Sequence, residues 1–283
     1  MFPAPLHRRP RAVQAAYRAA LAASLSVWLL PLAAIALTSI RSMDDLNSGN
    51  YWGWPEQPQL VANYAAVLLH SEMTGFIVNS FLITLPAVAG TLVLSSMAGF
   101  ALARYRFKAN LALLVMFIAG NLVPFQILMI PVRGLMLDLG LYDTRWALIL
   151  FHTAFQTGFC TLFMRNFFRQ LPEALFDAAR LDGWSELRIF WQIGLPLVRP
   201  ALAAMAAIVF TFVWNDYFWS LVLVHSNDVR PVTSGLQSLR GMWVASWNLI
   251  AAGSLVAALP PVVLFFLMQR HFIAGLTSGA PEE

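Results

Sequence analysis

The polar side chains that could do chemistry in this sequence fall in two places. Glu173, Asp177, Arg180, Asp182, Glu186 and Arg188 gather in one internal segment of a chain in which 11% of residues are charged. Carboxylates and guanidiniums mixed in this way form charge-assisted hydrogen bonds, and so suit docking against another protein. The second set is His152, Gln156 and Cys160, which recur every four residues on one helical face, together with Asn215 and Asp216. Polar groups in such apolar surroundings are costly. They read either as donors and acceptors along a path, with the aromatic rings of Phe155 and Phe159 nearby for stacking, or as satisfied contacts that hold a helix bundle together.

Several other chemistries are excluded. Lys108 is the single lysine and is flanked by Phe107 and Ala109, so the chain lacks the G-x4-G-K-[ST] loop that cradles nucleotide phosphates. It has no H-E-x-x-H pair, no nucleophile elbow and no pair of intramembrane aspartates. Cys160 is the only cysteine, which precludes an internal disulfide and leaves the redox compartment open, and no Cys/His spacing matches a metal site. The chain reads as a non-enzyme without its own metal or cofactor. The net charge of +4 comes almost entirely from arginines distributed over loops, which is not a nucleic-acid patch.

The elements that must position these residues follow from hydropathy. With 283 residues, 59% of them hydrophobic, the chain lies far from the roughly 25% charged residues of ordinary soluble domains. A bilayer core of about 30 Å needs roughly 20 apolar residues. Six segments qualify: Ala19 to Ile40, Gly75 to Ala103, Leu111 to Pro131, Trp146 to Met164, Ala201 to Val224 and Leu249 to Met268. Asp216 is the only acid among them, about 23 Å along the fifth span from the inner surface at 1.5 Å per residue. Gly90, Ser95 and Gly99 in the second are small enough to let helices approach closely.

Orientation follows from the basic residues. One set of loops holds thirteen of the eighteen: four before Ala19, then Arg104, Arg106 and Lys108, then five from Arg165 to Arg199, then Arg270. The opposite set holds Arg41, Arg133, Arg145, Arg230 and Arg240. Basic loops stay inside, so both termini and the charged segment are cytoplasmic. The divisions are a cytoplasmic N-terminus over 1–18, a first transmembrane helix over 19–40, an extracytoplasmic loop over 41–74, a core over 75–268 with five further helices, and a cytoplasmic tail over 269–283. A cleaved signal peptide is the competing reading of the N-terminus, but the apolar run from Ala19 exceeds the roughly 7 to 15 residues of a signal core. Tyr51, Trp52 and Trp54, close to Pro55 and Pro58, read as an aromatic belt or as a cap on the outer surface. No internal repeat of 20 to 50 residues is present.

The charged segment lies within the cytoplasmic loop 165–200. From Pro172, Glu173, Phe176, Asp177 and Arg180 fall on one helical face, and Ala174, Leu175, Ala178 and Leu181 on another. Asp182-Gly183 supplies a turn, and a second helix from Trp184 to Ile193 precedes Pro196 and Pro200. A helix meant only to lie on the membrane favours basic over acidic residues on its polar face, so this mixed face suits a protein groove.

Asp177-Ala178-Ala179, Gly183, Ile193 and Leu195-Pro196 match the EAA-x3-G-x9-I-x-L-P signature at every spacing. The segment therefore resembles the permease subunits of bacterial ATP-binding-cassette importers, with aspartate in place of the usual glutamate. "NSFLIT" at Asn79, "ALARYRF" at Ala101, "FVWNDYFWSL" at Phe212 and "QRHFIAGLTSG" at Gln269 extend the likeness to the carbohydrate-uptake permeases of the maltose-importer type.

The resemblance implies a type I importer permease fold and a passive role. The partners it implies are a second, non-identical permease, two cytoplasmic ATPase subunits that bind ATP and magnesium, an extracytoplasmic sugar-binding protein and the lipid bilayer of the bacterial inner membrane. Glu173, Phe176, Asp177, Ala178, Ala179, Arg180, Leu181 and Gly183 would form the ATPase-coupling site, with Phe176 and Leu181 packing in the ATPase groove and Asp177 accepting a hydrogen bond from an ATPase cation. His152, Gln156, Asn215 and Asp216 would lie near the substrate path, and the outer loop His225 to Trp247 would touch the binding protein. The alternative is a secondary transporter driven by an ion gradient through Asp216 and His152.

Overall fold

The computed structural model describes residues 9–239 and 246–277. Among the described residues the chain is helical with no strand. In order the helices are α1 (Arg11–Ser39), α2 (Met43–Asn47), α3 (Leu60–Leu69), α4 (Met73–Arg104), α5 (Asn110–Leu122), α6 (Met129–Asp138) and α7 (Arg145–Gln170). They continue as α8 (Glu173–Leu181), α9 (Glu186–Ile189), α10 (Leu195–Leu197), α11 (Arg199–Trp214), α12 (Phe218–Leu223), α13 (Val232–Gly235) and α14 (Trp247–Thr277). Two compact units are distinguished, Met1–Ser71 with Ser238–Val256, and Glu72–Gln237 with Ala257–Glu283.

The expected spans correspond to long apolar helices, with two differences. Arg11–Ser39, Met73–Arg104, Arg145–Gln170 and Trp247–Gln269 are each long and apolar enough to cross a membrane, and two bent helix pairs bring the number to as many as six. The span expected from Leu111 to Pro131 is broken: Asn110–Leu122 and Phe125–Asp138 meet at 91°. Pro124 explains the break, because it lacks an N–H for the helix and pushes the preceding residue towards extended backbone. Val123 accordingly has φ −73° and ψ 123°.

The fifth expected span, Ala201 to Val224, is also interrupted. Helix α11 ends at Trp214, and α12 begins at Phe218 after a non-helical stretch. The Asp216 carboxylate accepts hydrogen bonds from the backbone N–H groups of Trp219 (3.2 Å) and Ser220 (3.0 Å), offering the chain a start for α12 in place of a continued helix. Asp216 is thus in a helix break, not midway along a continuous helix.

Within the first unit, the segment expected as a plain loop over 41–74 contains α2 and α3. Asn63 ties α3 to the end of α1, donating to the carbonyls of Ser39 (2.9 Å) and Arg41 (2.8 Å), and Asn248 donates to Asn63 Oδ1 at 3.0 Å.

The second unit is built on α4 against α7, its most extensively packed pair. Gly99 makes the approach possible: a Cβ there would meet the Arg165 backbone nitrogen at 2.8 Å and Met164 Cβ at 2.9 Å. Apolar residues that do not face this packing, such as Leu82, Leu85, Val115 and Met116, lie on the surface, as hydrocarbon rather than water requires.

Candidate functional site

The charged segment folds as a helix, a tight turn and a second helix, with details that composition alone does not dictate. Helix α8 ends in a glycine-based turn with two nested hydrogen bonds. Gly183 N–H donates to Arg180 O and Trp184 N–H to Ala179 O, both at 3.0 Å. This pair is the Schellman arrangement, and it requires the residue after the cap to adopt the left-handed region. Gly183 has φ +75°, and nothing lies within 4 Å of where its Cβ would be. Backbone conformation, not space, demands glycine at this position. Ser185 then caps α9, its Oγ accepting from Arg188 N–H at 3.3 Å, and a π-helical stretch Phe190–Gly194 continues the element.

Helix α8 is anchored to the transmembrane helices by its apolar side. Phe176 is fully buried and Ala179 nearly so, in a cluster with Phe100 of α4, Met164 and Phe168 of α7, and Ile189 and Phe190. Phe176 therefore does not face outward with Glu173 and Asp177, and its expected place in a partner's groove is corrected: the side chain fills the chain's own core. Leu181 is 89% exposed, and Ala174, Leu175 and Ala178 are exposed as well. Those residues, with Glu173 and Asp177, make the outward surface.

Arg104, at the end of α4, holds this arrangement in place. Its guanidinium carbon lies 3.9 Å from the centroid of the Phe176 ring, and its Nη2 donates to the carbonyls of Phe168 and Leu171 (2.8 Å for the latter). One side chain thus links α4, the end of α7 and α8. Arg104 and Tyr105 both lie in the "ALARYRF" segment.

A polar chain runs across the turn. Arg180 pairs with Asp177 at 2.9 Å and with Glu186 at 2.8 Å, and Tyr105 Oη donates to Glu186 Oε2 at 2.7 Å. The Arg180 hydrogen bond holds the Glu186 carboxyl below the usual carboxylate range, outweighing burial, and the Tyr105 bond acts in the same direction. Burial and Glu186 push the Tyr105 phenol up to about 12. Asp177 thus already has an intrachain cation, while its half-exposed side chain remains accessible.

The second set of polar residues is only partly assembled. His152, Gln156 and Asp216 line one cavity of about 350 Å³, with Asn121, Phe125, Phe151, Phe155, Phe159, Phe212 and Trp219. His152 Nε2 lies 3.5 Å from Asp216 Oδ2. Asn215 does not join them; it lines a separate cavity with Thr211 and Phe265. Cys160, expected on the same stripe, is fully buried with its Sγ 3.3 Å from Met205 Sδ. Of the aromatic walls, Phe125 and Trp219 follow the helix breaks at Pro124 and Asn215, which the sequence does not show, whereas Phe151 and Phe212 stand on α7 and α11 and carry no signal that sets them apart from other apolar residues of those helices.

The outer loop from His225 is held against the ends of α4 and α7. Asp143 accepts from the N–H groups of His225 (2.7 Å) and Ser226 (2.8 Å) and from the Ser226 hydroxyl. Burial raises the Asp143 carboxyl, but the Ser226 and His225 bonds outweigh it and leave the group below its ordinary value. Asn79 donates to the carbonyls of Asp228 and Arg230, both at 3.0 Å, and Arg145 donates to Asn79 Oδ1 at 3.0 Å. Within the loop expected to meet a binding protein, His225 to Asp228, Gln237 and Ser238 are exposed, whereas Val232, Ser234 and Gly235 are buried. Residues 240–245 lie outside the described residues.

Comparison with known proteins supplies the family. Residues 92–278 match the family described as binding-protein-dependent transport system inner membrane component. The arabinooligosaccharides transport system permease protein AraQ of Halalkalibacterium halodurans is 40% identical over 201 residues, 71% of each chain. The osmoprotective compounds uptake permease protein GgtD of Synechocystis sp. is 33% identical over 260 residues, 90% of this chain and 87% of that one. In three dimensions, a chain from the crystal structure of a bacterial ABC transporter involved in the import of the acidic polysaccharide alginate superposes with a TM-score of 0.81 at 22% identity, covering 96% of this chain and 99% of that one. The fold is therefore that of a type I importer permease, and family membership favours an ATP-driven subunit over a gradient-driven transporter. The chain belongs to the family of binding-protein-dependent transport system inner membrane components.

Proposed function

We propose that this chain is a non-catalytic permease subunit of a bacterial inner-membrane importer that takes up a sugar, oligosaccharide or glycoside. Separate ATPase subunits would bind ATP and magnesium and dock on the outward surface of α8, and a second, non-identical permease would complete the pathway. The observation that carries this reading is the attachment of α8: its buried Phe176 and Ala179, and Arg104 above the Phe176 ring, bind it to α4 and α7. A displacement of α8 by a partner therefore moves the inner ends of two long helices together, since a close-packed core transmits strain.

The cavity lined by His152, Gln156, Asp216 and aromatic side chains fits a pyranose, which presents hydroxyls at its edge and C–H groups on its faces. The names of several relatives support this class, among them the lactose transport system permease protein LacG of Rhizobium radiobacter and the melibiose/raffinose/stachyose import permease protein MelC of Bacillus subtilis. The exposed outer residues His225 to Asp228 are the proposed contact for a sugar-loaded binding protein. The test is to purify the chain with its co-expressed neighbours and measure ATP hydrolysis as binding protein and sugar are added. Stimulation that requires both supports the reading, and hydrolysis indifferent to them opposes it.

A further inference from the structure

The cytoplasmic ends of the helices enclose a second hollow, unrelated to the sugar cavity. Its volume is about 740 Å³, and its lining includes Arg104, Arg106, Lys108, Arg165, Arg169 and one acid, Glu173. Five cations therefore face one carboxylate. They come from two distant stretches of chain, the end of α4 with the turn after it and the end of α7, so the fold and not local sequence brings them together. Arg104 is committed to the carbonyls of Phe168 and Leu171, and Arg165 Nε reaches the Leu102 carbonyl at 3.4 Å. Arg106, Lys108 and Arg169 make no ion pair among the described residues.

The surroundings indicate what kind of anion belongs there. The hollow sits at the ends of α4 and α7 that carry the basic residues expected to stay on the cytoplasmic side. Phe107 and Leu111, also in the lining, are exposed, and Leu111 begins an exposed apolar stripe along α5 with Val115 and Leu122. Cations above and a continuous apolar strip below match the two ends of a phospholipid. A free phosphate would have no use for the apolar strip.

We infer that Arg106, Lys108 and Arg169, with Arg104 and Arg165 behind them, form a binding site for the phosphate headgroup of an anionic membrane phospholipid, whose acyl chain lies along Leu111 and Val115 of α5. Basic hollows between transmembrane helices on the inner face are suited to such headgroups, and each cation near an anionic surface contributes on the order of fivefold in affinity. The general preference of basic loops for the cytoplasm explains that these cations are inside. It does not explain why they converge on one hollow beside an exposed apolar strip.

The experiment is native mass spectrometry of the purified permease–ATPase complex taken from bilayers that contain both phosphatidylcholine and phosphatidylglycerol. The wild-type complex should retain phosphatidylglycerol, and Arg106→Gln/Lys108→Gln/Arg169→Gln should reduce that retention at least about tenfold, with phosphatidylcholine and co-purifying ATPase unchanged. Arg106→Lys/Lys108→Arg/Arg169→Lys keeps the charges and should keep the lipid. A single Arg106→Gln change should give a partial loss even if the triple variant proves unstable. Equal retention in wild-type and neutralised complexes would overturn the inference. So would displacement of the lipid by millimolar glycerol phosphate, which identifies a soluble phosphate site, or loss of ATPase with lipid retention intact, which identifies a protein contact.

Discussion

The guanidinium of Arg104 lies 3.9 Å from the ring centroid of Phe176, joining the last residue of α4 to the buried face of α8. A cation over an aromatic face, together with hydrogen bonds from the same group to two α7-end carbonyls, contributes about 2–3 kcal/mol to this junction. Arg104→Ala should therefore loosen α8 without preventing membrane insertion. Arg104→Lys should recover little, because an ammonium cannot form the planar, forked contact. Limited proteolysis of the 171–185 segment and sugar-stimulated ATP hydrolysis should change together, and loosening without a change in coupling would separate the junction from transport.

Gly183 is required by backbone conformation. Its φ of +75° with no neighbour within 4 Å of a Cβ means that Gly183→Ala carries only the left-handed penalty, about 1–2 kcal/mol. Gly183→Val adds the resistance of a β-branched side chain to positive φ and should release the ATPases. Co-purification of ATPase with each variant, relative to wild type, measures this, and the order expected is glycine, alanine, valine.

Asp177 shares Arg180 with Glu186, so its charge serves both the turn and the outward surface. Asp177→Glu should retain most coupling, since the longer carboxylate can still reach a cation. Asp177→Ala should lose more, although the exposed intrahelical pair itself is worth under about 1 kcal/mol. Equal defects in sugar-stimulated ATP hydrolysis would exclude the charge from docking.

Acid should weaken the turn through Glu186. Its carboxyl is held low in the folded protein, chiefly by Arg180, so the stabilisation is present above the ordinary glutamate value of about 4.3 and is lost as pH falls through the lower folded value. Thermal unfolding followed between neutral pH and pH 3 should therefore fall less steeply in Glu186→Gln than in wild type. Tyr105 has the opposite sign. Its phenol is raised to about 12, so its contribution is constant below about pH 10 and disappears only in strong alkali.

In the aromatic cavity, Gln156→Ala should raise the sugar concentration required for half-maximal uptake while leaving subunit assembly unchanged. Asp216→Asn keeps one of the two acceptor oxygens, for Trp219 or Ser220, and should largely preserve the start of α12, whereas Asp216→Ala should destabilise it by about 1 kcal/mol. Uptake kinetics beside thermal unfolding separate a role in the path from a role in the helix break.

Much of this organisation can be read from the residues in order. Hydropathy locates the long helices, basic residues orient them, and the spacing from Asp177 to Pro196 marks the family motif. What escapes such a reading depends on distant contacts. The face of α8 that is buried is decided by Phe100 and Arg104, some seventy residues away, and periodicity within α8 groups Phe176 with its charged neighbours. The breaks at Val123-Pro124 and Asn215-Asp216 occur in runs apolar enough to pass as continuous spans. Those breaks are what bring Phe125 and Trp219 to the cavity of His152 and Gln156. Arg104, Tyr105 and Glu186 carried a signal in their charge and in the "ALARYRF" segment, but their meeting needs the fold.

Uptake of labelled sugar into proteoliposomes containing the assembled complex, with ATP supplied on the side of α8 and all ion gradients collapsed, tests most directly whether this chain is driven through α8. ATP-dependent accumulation that persists without gradients and is abolished by Gly183→Val is the predicted result. Accumulation that needs no ATP and follows an imposed pH gradient would contradict it.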